Sequence, residues 1–129
     1  MKTPATQPIE QHPLGFFLPE NTKLLMLGSF PPPRARWSMN FYYPNIQNDM
    51  WRILGLVFYN DKEYFLETKK AFSEEKAKAF CREKGIGIGD TAMEIIRLKN
   101  NASDNFLQVV TPLNPVEVLA KIPECEAIV

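Results

Sequence analysis

Residues 23–54, KLLMLGSFPPPRARWSMNFYYPNIQNDMWRIL, decide how this chain is read. Leu24, Leu25, Met26 and Leu27 make a short apolar run of the length and character of a strand buried on both faces. Gly28 ends the run. Pro31, Pro32 and Pro33 cannot continue a ladder, because proline has no N–H to donate. A loop rich in aromatic and basic residues follows, over residues 34–44. Asn48 and Asp49, both good helix N-caps, then introduce an apolar helical stretch from Met50 and Trp51 to Phe58. The layout is buried strand, long loop, helix. Ligands of open α/β sheets bind beyond the carboxyl ends of the strands, so this loop is where a site is expected.

The chain has 129 residues, enough for one domain with a real core. Apolar residues are 45% of it and charged residues 23%, ordinary for a soluble globular protein. Fifteen Lys and Arg balance fifteen Asp and Glu, so bulk charge gives no sign of nucleic acid and a DNA partner would need a local basic patch. Cys81 and Cys125 match no metal spacing; together with a single histidine they can build neither a metal site nor an iron–sulfur cluster, and reduced thiols in a cytoplasmic protein are expected. No apolar stretch approaches the roughly 20 residues that cross a bilayer, and the N-terminus lacks the apolar core of a signal peptide.

Outward from the deciding stretch, residues 1–13 are polar with three prolines and read as an extended or partly disordered strap, pinned by Phe16 and Phe17. His12, with no partner pattern near it, is expected on the surface. Residues 63–72 suggest a weak helix or an irregular segment. Ser73, Glu74 and Glu75 start a helix whose stripe is Ala77, Phe80 and Cys81, and Gly85 stops it. In residues 86–90, IGIGD, glycines alternate with isoleucine as in a short buried strand that something packs closely against. A dinucleotide-binding glycine motif would need a strand-to-helix turn there, so that reading is set aside. Residues 92–98 suggest a helical turn, 99–105 a polar loop, 106–110 a short strand and 111–114 a turn. Pro115 suits the first position of a helix through Lys121, and residues 127–129 begin another strand.

The deciding stretch also resembles the first motif of the uracil-DNA glycosylase superfamily. The matching residues are Gly28-Ser29-Phe30-Pro31, then Tyr42-Tyr43, then Asn48 to Leu54, in order and at this spacing. It is most similar to the branch containing the hypoxanthine-DNA glycosylases. In the uracil and mismatch branches an acidic or amide residue usually matches Phe30; in the hypoxanthine branch that position is apolar and the asparagine matching Asn48 is implicated in catalysis. Pro32 departs from the glycine of many relatives. The resemblance implies a three-layer α/β/α fold with a central, mostly parallel sheet, a strap over residues 1–22 and a glycosylase-like domain over residues 23–129. Residues 86–90 become its second strand, followed by the pair Asp90-Thr91. The family's second motif, a loop that inserts into DNA, has no counterpart here, so the domain is expected to be incomplete at its C-terminus.

A glycosylase takes a base out of the stack and breaks its N-glycosidic bond, leaving positive charge on the sugar and negative charge on the base. Phe30 offers a ring for stacking, worth about 1–3 kcal/mol. The backbone N–H groups of Ser29 and Phe30 suit a base carbonyl, and the prolines stiffen the loop. The expected base pocket is Gly28, Ser29, Phe30, Pro31, Tyr43 and Asn45, with Asn48 holding water at a helix entrance and Arg34 and Arg36 on phosphates. No lysine lies in the motif to form a Schiff base, which favours water as nucleophile. The expected function is cofactor-free removal of uracil or hypoxanthine from DNA. Two other readings compete: a non-catalytic DNA- or nucleotide-binding module of the same fold, and a polyproline ligand formed by Pro31 to Arg34. Asn48 could also be a helix cap alone, worth about 1 kcal/mol.

Overall fold

The computed structural model describes residues 8–97 and 107–129. In chain order the strands and helices are β1 (Ile9–Gln11), β2 (Leu24–Gly28), α1 (Met50–Tyr59), β3 (Leu66–Thr68), β4 (Ala71–Phe72), α2 (Glu74–Lys84), β5 (Ile86–Asp90), β6 (Ala92–Arg97), β7 (Leu107–Pro112), α3 (Pro115–Ala120) and β8 (Ala127–Ile128). The apolar run is β2, and it lies between two parallel neighbours in the order β5-β2-β8. Its alternating side chains serve two cores. Met26 joins Trp51, Phe65, Phe80, Ile86 and Ile88, whereas Leu25 joins Val118 and Ile122. A strand covered on both faces is what continuous hydrophobicity calls for.

The expected parallel sheet is thus present but small. A second sheet, in the order β1-β6-β7, is antiparallel, and β3 and β4 form a separate hairpin. The helical turn expected from residue 92 is strand β6. Ala92, Ile95 and Ile96 have helical spacing, but β1 and β7 pair with this segment on either side, and those partners outweigh local preference. The segment expected as a weak helix over residues 63–72 is the β3–β4 hairpin, closed where Thr68 Oγ1 accepts from Lys70 N at 3.1 Å and rooted by buried Phe65 and Phe72. Strand β7 runs to Pro112, into the expected turn. The polar loop expected over residues 99–105 lies outside the described residues.

Helix boundaries follow their chemistry. Ser73 Oγ accepts from Lys76 N, Glu74 and Glu75 occupy the first turn of α2, and Gly85 ends it at φ 69°. Asn114 caps α3 by accepting from Val116 N and Glu117 N. The strap is held as expected: Phe17 and Ile88 exchange backbone hydrogen bonds at 2.9 Å, and the ring of Phe16 fills the space a side chain on Gly89 would need. Among the described residues no helix is long and apolar enough to cross a membrane.

Candidate functional site

The register of β2 against β5 sets Gly28 beside Asp90, so the carboxyl ends of two parallel strands open at one place. A cavity of about 440 Å³ lies there, within the ~300–1,000 Å³ range of small-molecule sites. Gly28, Ser29, Phe30, Pro31, Tyr43, Asn45 and Asn48 all line it, so the structure brings the expected pocket residues together. Asp90 lines it too, and was not among them.

Asp90 is the polar group at the buried end. A Cβ on Gly28 would sit 2.6 Å from Asp90 Oδ1, so glycine makes room for the carboxylate. The other oxygen, Oδ2, lies 2.6 Å from His12 Nε2, and the two side chains are 7% and 1% exposed. His12 is therefore not the surface histidine expected. Its Nδ1 accepts from Gly15 N at 2.9 Å and from Leu14 N at 3.2 Å, which places the ring proton on Nε2, donating to Asp90. Oδ1 has no hydrogen-bond partner among the described residues.

The aromatic lining differs in part from expectation. Phe30 is only 8% exposed; its ring packs with Ala92 and Ile95 and meets the edge of His12 at 5.2 Å. It offers the cavity little surface for stacking. Tyr43 is less buried and adopts φ 53°, a left-handed conformation that costs a non-glycine residue of order 1–3 kcal/mol and recurs at functional sites. Burial, then the charges of Asp90 and Cys81, push its hydroxyl up to about 12. Tyr42 is core: its hydroxyl donates to Gly15 O, its carbonyl accepts from Trp51 Nε1 at 2.8 Å, and burial followed by Asp90 raises its pKa still further. Arg97 fixes the loop from the other side, donating to both Glu10 carboxylate oxygens and to Pro31 O.

Asn48 stands exposed at the lip of the cavity. Its Oδ1 accepts from Met50 N at 2.8 Å, so it does serve the helix entrance, although Asp49 occupies the cap position without a side-chain bond. That leaves Nδ2, a donor with no acceptor among the described residues. Asn45 Oδ1 is likewise engaged, by Gln47 N at 3.0 Å. Neither arginine lines this cavity. Arg34 stacks on Trp37 at 4.1 Å and bonds Asn40, while Arg36 borders an adjoining depression.

Asp90 and His12 are what sequence reasoning missed. Asp90 carried a usable signal, since it ends a buried strand that neighbours the deciding one, where ligands of α/β sheets bind. His12 carried none, because its partner is 78 positions away.

No protein-family model matches the chain, and no curated protein does. Among solved structures, it is similar to the solution NMR structure of a protein from Methanosarcina acetivorans provisionally named a uracil DNA glycosylase. The TM-score is 0.68 at 23% sequence identity, over 94% of this chain and 68% of that one. At that identity the likeness is one of fold: this chain adopts a mixed α/β fold of the uracil-DNA-glycosylase kind.

Proposed function

We propose that this protein is a DNA glycosylase that removes a deaminated base, uracil or hypoxanthine, by hydrolysis and without a cofactor. The observation that carries the reading is the acceptor at the buried end of the cavity. Asp90 Oδ1 is buried without a donor among the described residues, and a ligand N–H would relieve a cost of about 1–3 kcal/mol. Deamination converts N3 of cytosine and N1 of adenine from acceptors into N–H donors. Uracil and hypoxanthine therefore share the group this oxygen asks for, which separates them from cytosine and adenine though not from thymine and guanine, and a purine-sized or pyrimidine-sized ring both suit the volume. The provisional name of the structural neighbour agrees with this class of substrate. The apolar Phe30 together with Asn48 supports the hypoxanthine branch of the family.

The buried end holds the base and the exposed lip holds the sugar. Tyr43 covers the ring, with Phe30 contributing its edge. Asn48 Nδ2 donates to a water oxygen at the lip and orients it toward C1′ of the sugar. The water oxygen bonds C1′, the C1′–N bond breaks with its electron pair leaving on the base, and the water's proton passes to solvent while the base is reprotonated. The N-terminus of α1, just beyond Asn48, offsets negative charge that develops nearby. Incubation with single- and double-stranded oligonucleotides containing uracil or hypoxanthine, followed by alkaline cleavage of abasic sites, tests the proposal. Product is expected from both bases and is expected to vanish when N3 of uracil or N1 of hypoxanthine is methylated. Binding without release would make the protein a binding module instead, and no interaction with either substrate would overturn the reading.

A further inference from the structure

Beside the cavity lies a second one, of about 540 Å³, that shares Asn45 and Gln47 with it. We propose that this second cavity binds a backbone phosphodiester of the strand whose base enters the first, with Arg36 and Lys70 as the two cations. The inference rests on the base-binding reading and adds a residue, Lys70, that lies outside the motif. Arg36 belongs to a single 3-10 turn, Arg34–Arg36, and Lys70 to the turn of the β3–β4 hairpin, so two separate elements bring like charges to one depression. No Asp or Glu is in its lining. Among the described residues neither cation meets a carboxylate. Two cations facing one hollow without a counter-charge favour an anion there.

The depression is also built rather than accidental. Ser38 Oγ donates to Pro44 O at 2.7 Å and accepts from Phe72 N at 3.2 Å, latching the loop that carries Arg36 to the hairpin that carries Lys70. Trp37 Nε1 donates to Pro32 O at 2.7 Å, tying the same loop to a residue of the first cavity. The spacing between cations and base site is thereby set by hydrogen bonds. A base and a phosphate joined through a sugar match two neighbouring hollows, one with a buried acceptor and one with paired cations. An arginine fork and a lysine are the side chains that phosphate oxygens take.

The test is fluorescence anisotropy with a single-stranded oligonucleotide bearing a tetrahydrofuran abasic site, which binds without reacting, over a range of salt. Arg36→Gln and Lys70→Gln are each expected to weaken binding several-fold at low salt. Each should also reduce the slope of log affinity against log salt by about 0.7, the value for one single-strand phosphate contact. Lys121→Gln, at the far end of α3, should leave both unchanged. Parent-like slopes in both variants overturn the subsite, and the base-binding reading, tested by base release, survives. Displacement of the oligonucleotide by thymidine monophosphate as effective per phosphate as by unlabelled strand also overturns it, assigning the hollow to free nucleotides. Reduced slopes in a protein that releases no base would support the subsite and sink the glycosylase reading.

Discussion

His12→Ala tests whether the buried acceptor is held in place. The imidazole makes three hydrogen bonds, one to Asp90 Oδ2 at 2.6 Å and two from the backbone N–H groups of Leu14 and Gly15. Alanine removes them all, leaving a buried carboxylate without its donor and two N–H groups without their acceptor. A hydrogen bond to a charged group is worth about 1.5–3 kcal/mol, and stranding a buried partner adds about 1–3 more. Water entering the vacated space recovers part of this, so a loss near 3 kcal/mol is expected, at the lower end for a broken buried pair. His12→Gln is the control. Its amide nitrogen can donate to Asp90 while its oxygen accepts from the strap, so about 1 kcal/mol should suffice. Urea unfolding followed by tryptophan fluorescence reads stability, since Trp51 is 0% exposed. Single-turnover base release, measured well below the unfolding midpoint, reads position: a carboxylate displaced by about 1 Å should cost around a hundredfold. Alanine and glutamine variants that match the parent in both measurements would refute the claim that His12 positions Asp90.

Other expectations follow from single residues. Asn48→Ala should lower the excision rate more than tenfold and stability by about 1 kcal/mol, the worth of a helix-entrance hydrogen bond; a rate within a factor of two of the parent would remove Asn48 from the chemistry. Gly89→Ala would place a methyl carbon 2.0 Å from the ring of Phe16, and a loss of about 1–3 kcal/mol in urea is expected from the overpacking. Burial, partly opposed by Arg82, pushes the Cys81 thiol up from 9.0 to about 12, and Tyr43 rises from 10.0 to about 12. Above pH 9, and again above pH 10, the unfolded chain loses protons that the folded one keeps, so stability should fall as pH rises toward 12. Cys81→Ala should remove the earlier part of that fall in alkaline unfolding curves, and an unchanged curve would contradict it.

What was legible in the sequence was local. The apolar run before Gly28, the Ser73 cap, the Pro115 helix start, the Gly85 stop and the alternating glycines of residues 86–90 each advertise one element through neighbours a few positions away. Residues 92–98 read as a helical turn because Ala92, Ile95 and Ile96 spell a helical face. What makes them a strand is hydrogen bonding to Ile9–Gln11 and Leu107–Pro112, which no window around residue 95 contains. The same limit governs the site. Its expected lining comes from one continuous stretch, whereas Asp90 reaches it from another strand with His12 bonded behind it, and only Asp90 stands where a topological rule points.

The site therefore depends on register more than on any motif. Gly28 faces Asp90 only because Leu24 pairs with Ile86, four residues earlier on each strand. Slipping β5 by one residue would set Gly89 against Gly28, turn Asp90 to the other face of the sheet, and open the Oδ2 bond to His12. Four contacts forbid that slip. Lys23 N and Leu24 N both donate to Gly85 O at the start of the pair, Thr91 N donates to Gly28 O at its end, and Phe16 occupies the face of Gly89. The glycines that look at first like a nucleotide fingerprint thus act as a gauge: Gly87 and Gly89 admit the strap, Gly28 on the neighbouring strand admits the carboxylate, and together they fix the position of the buried acceptor.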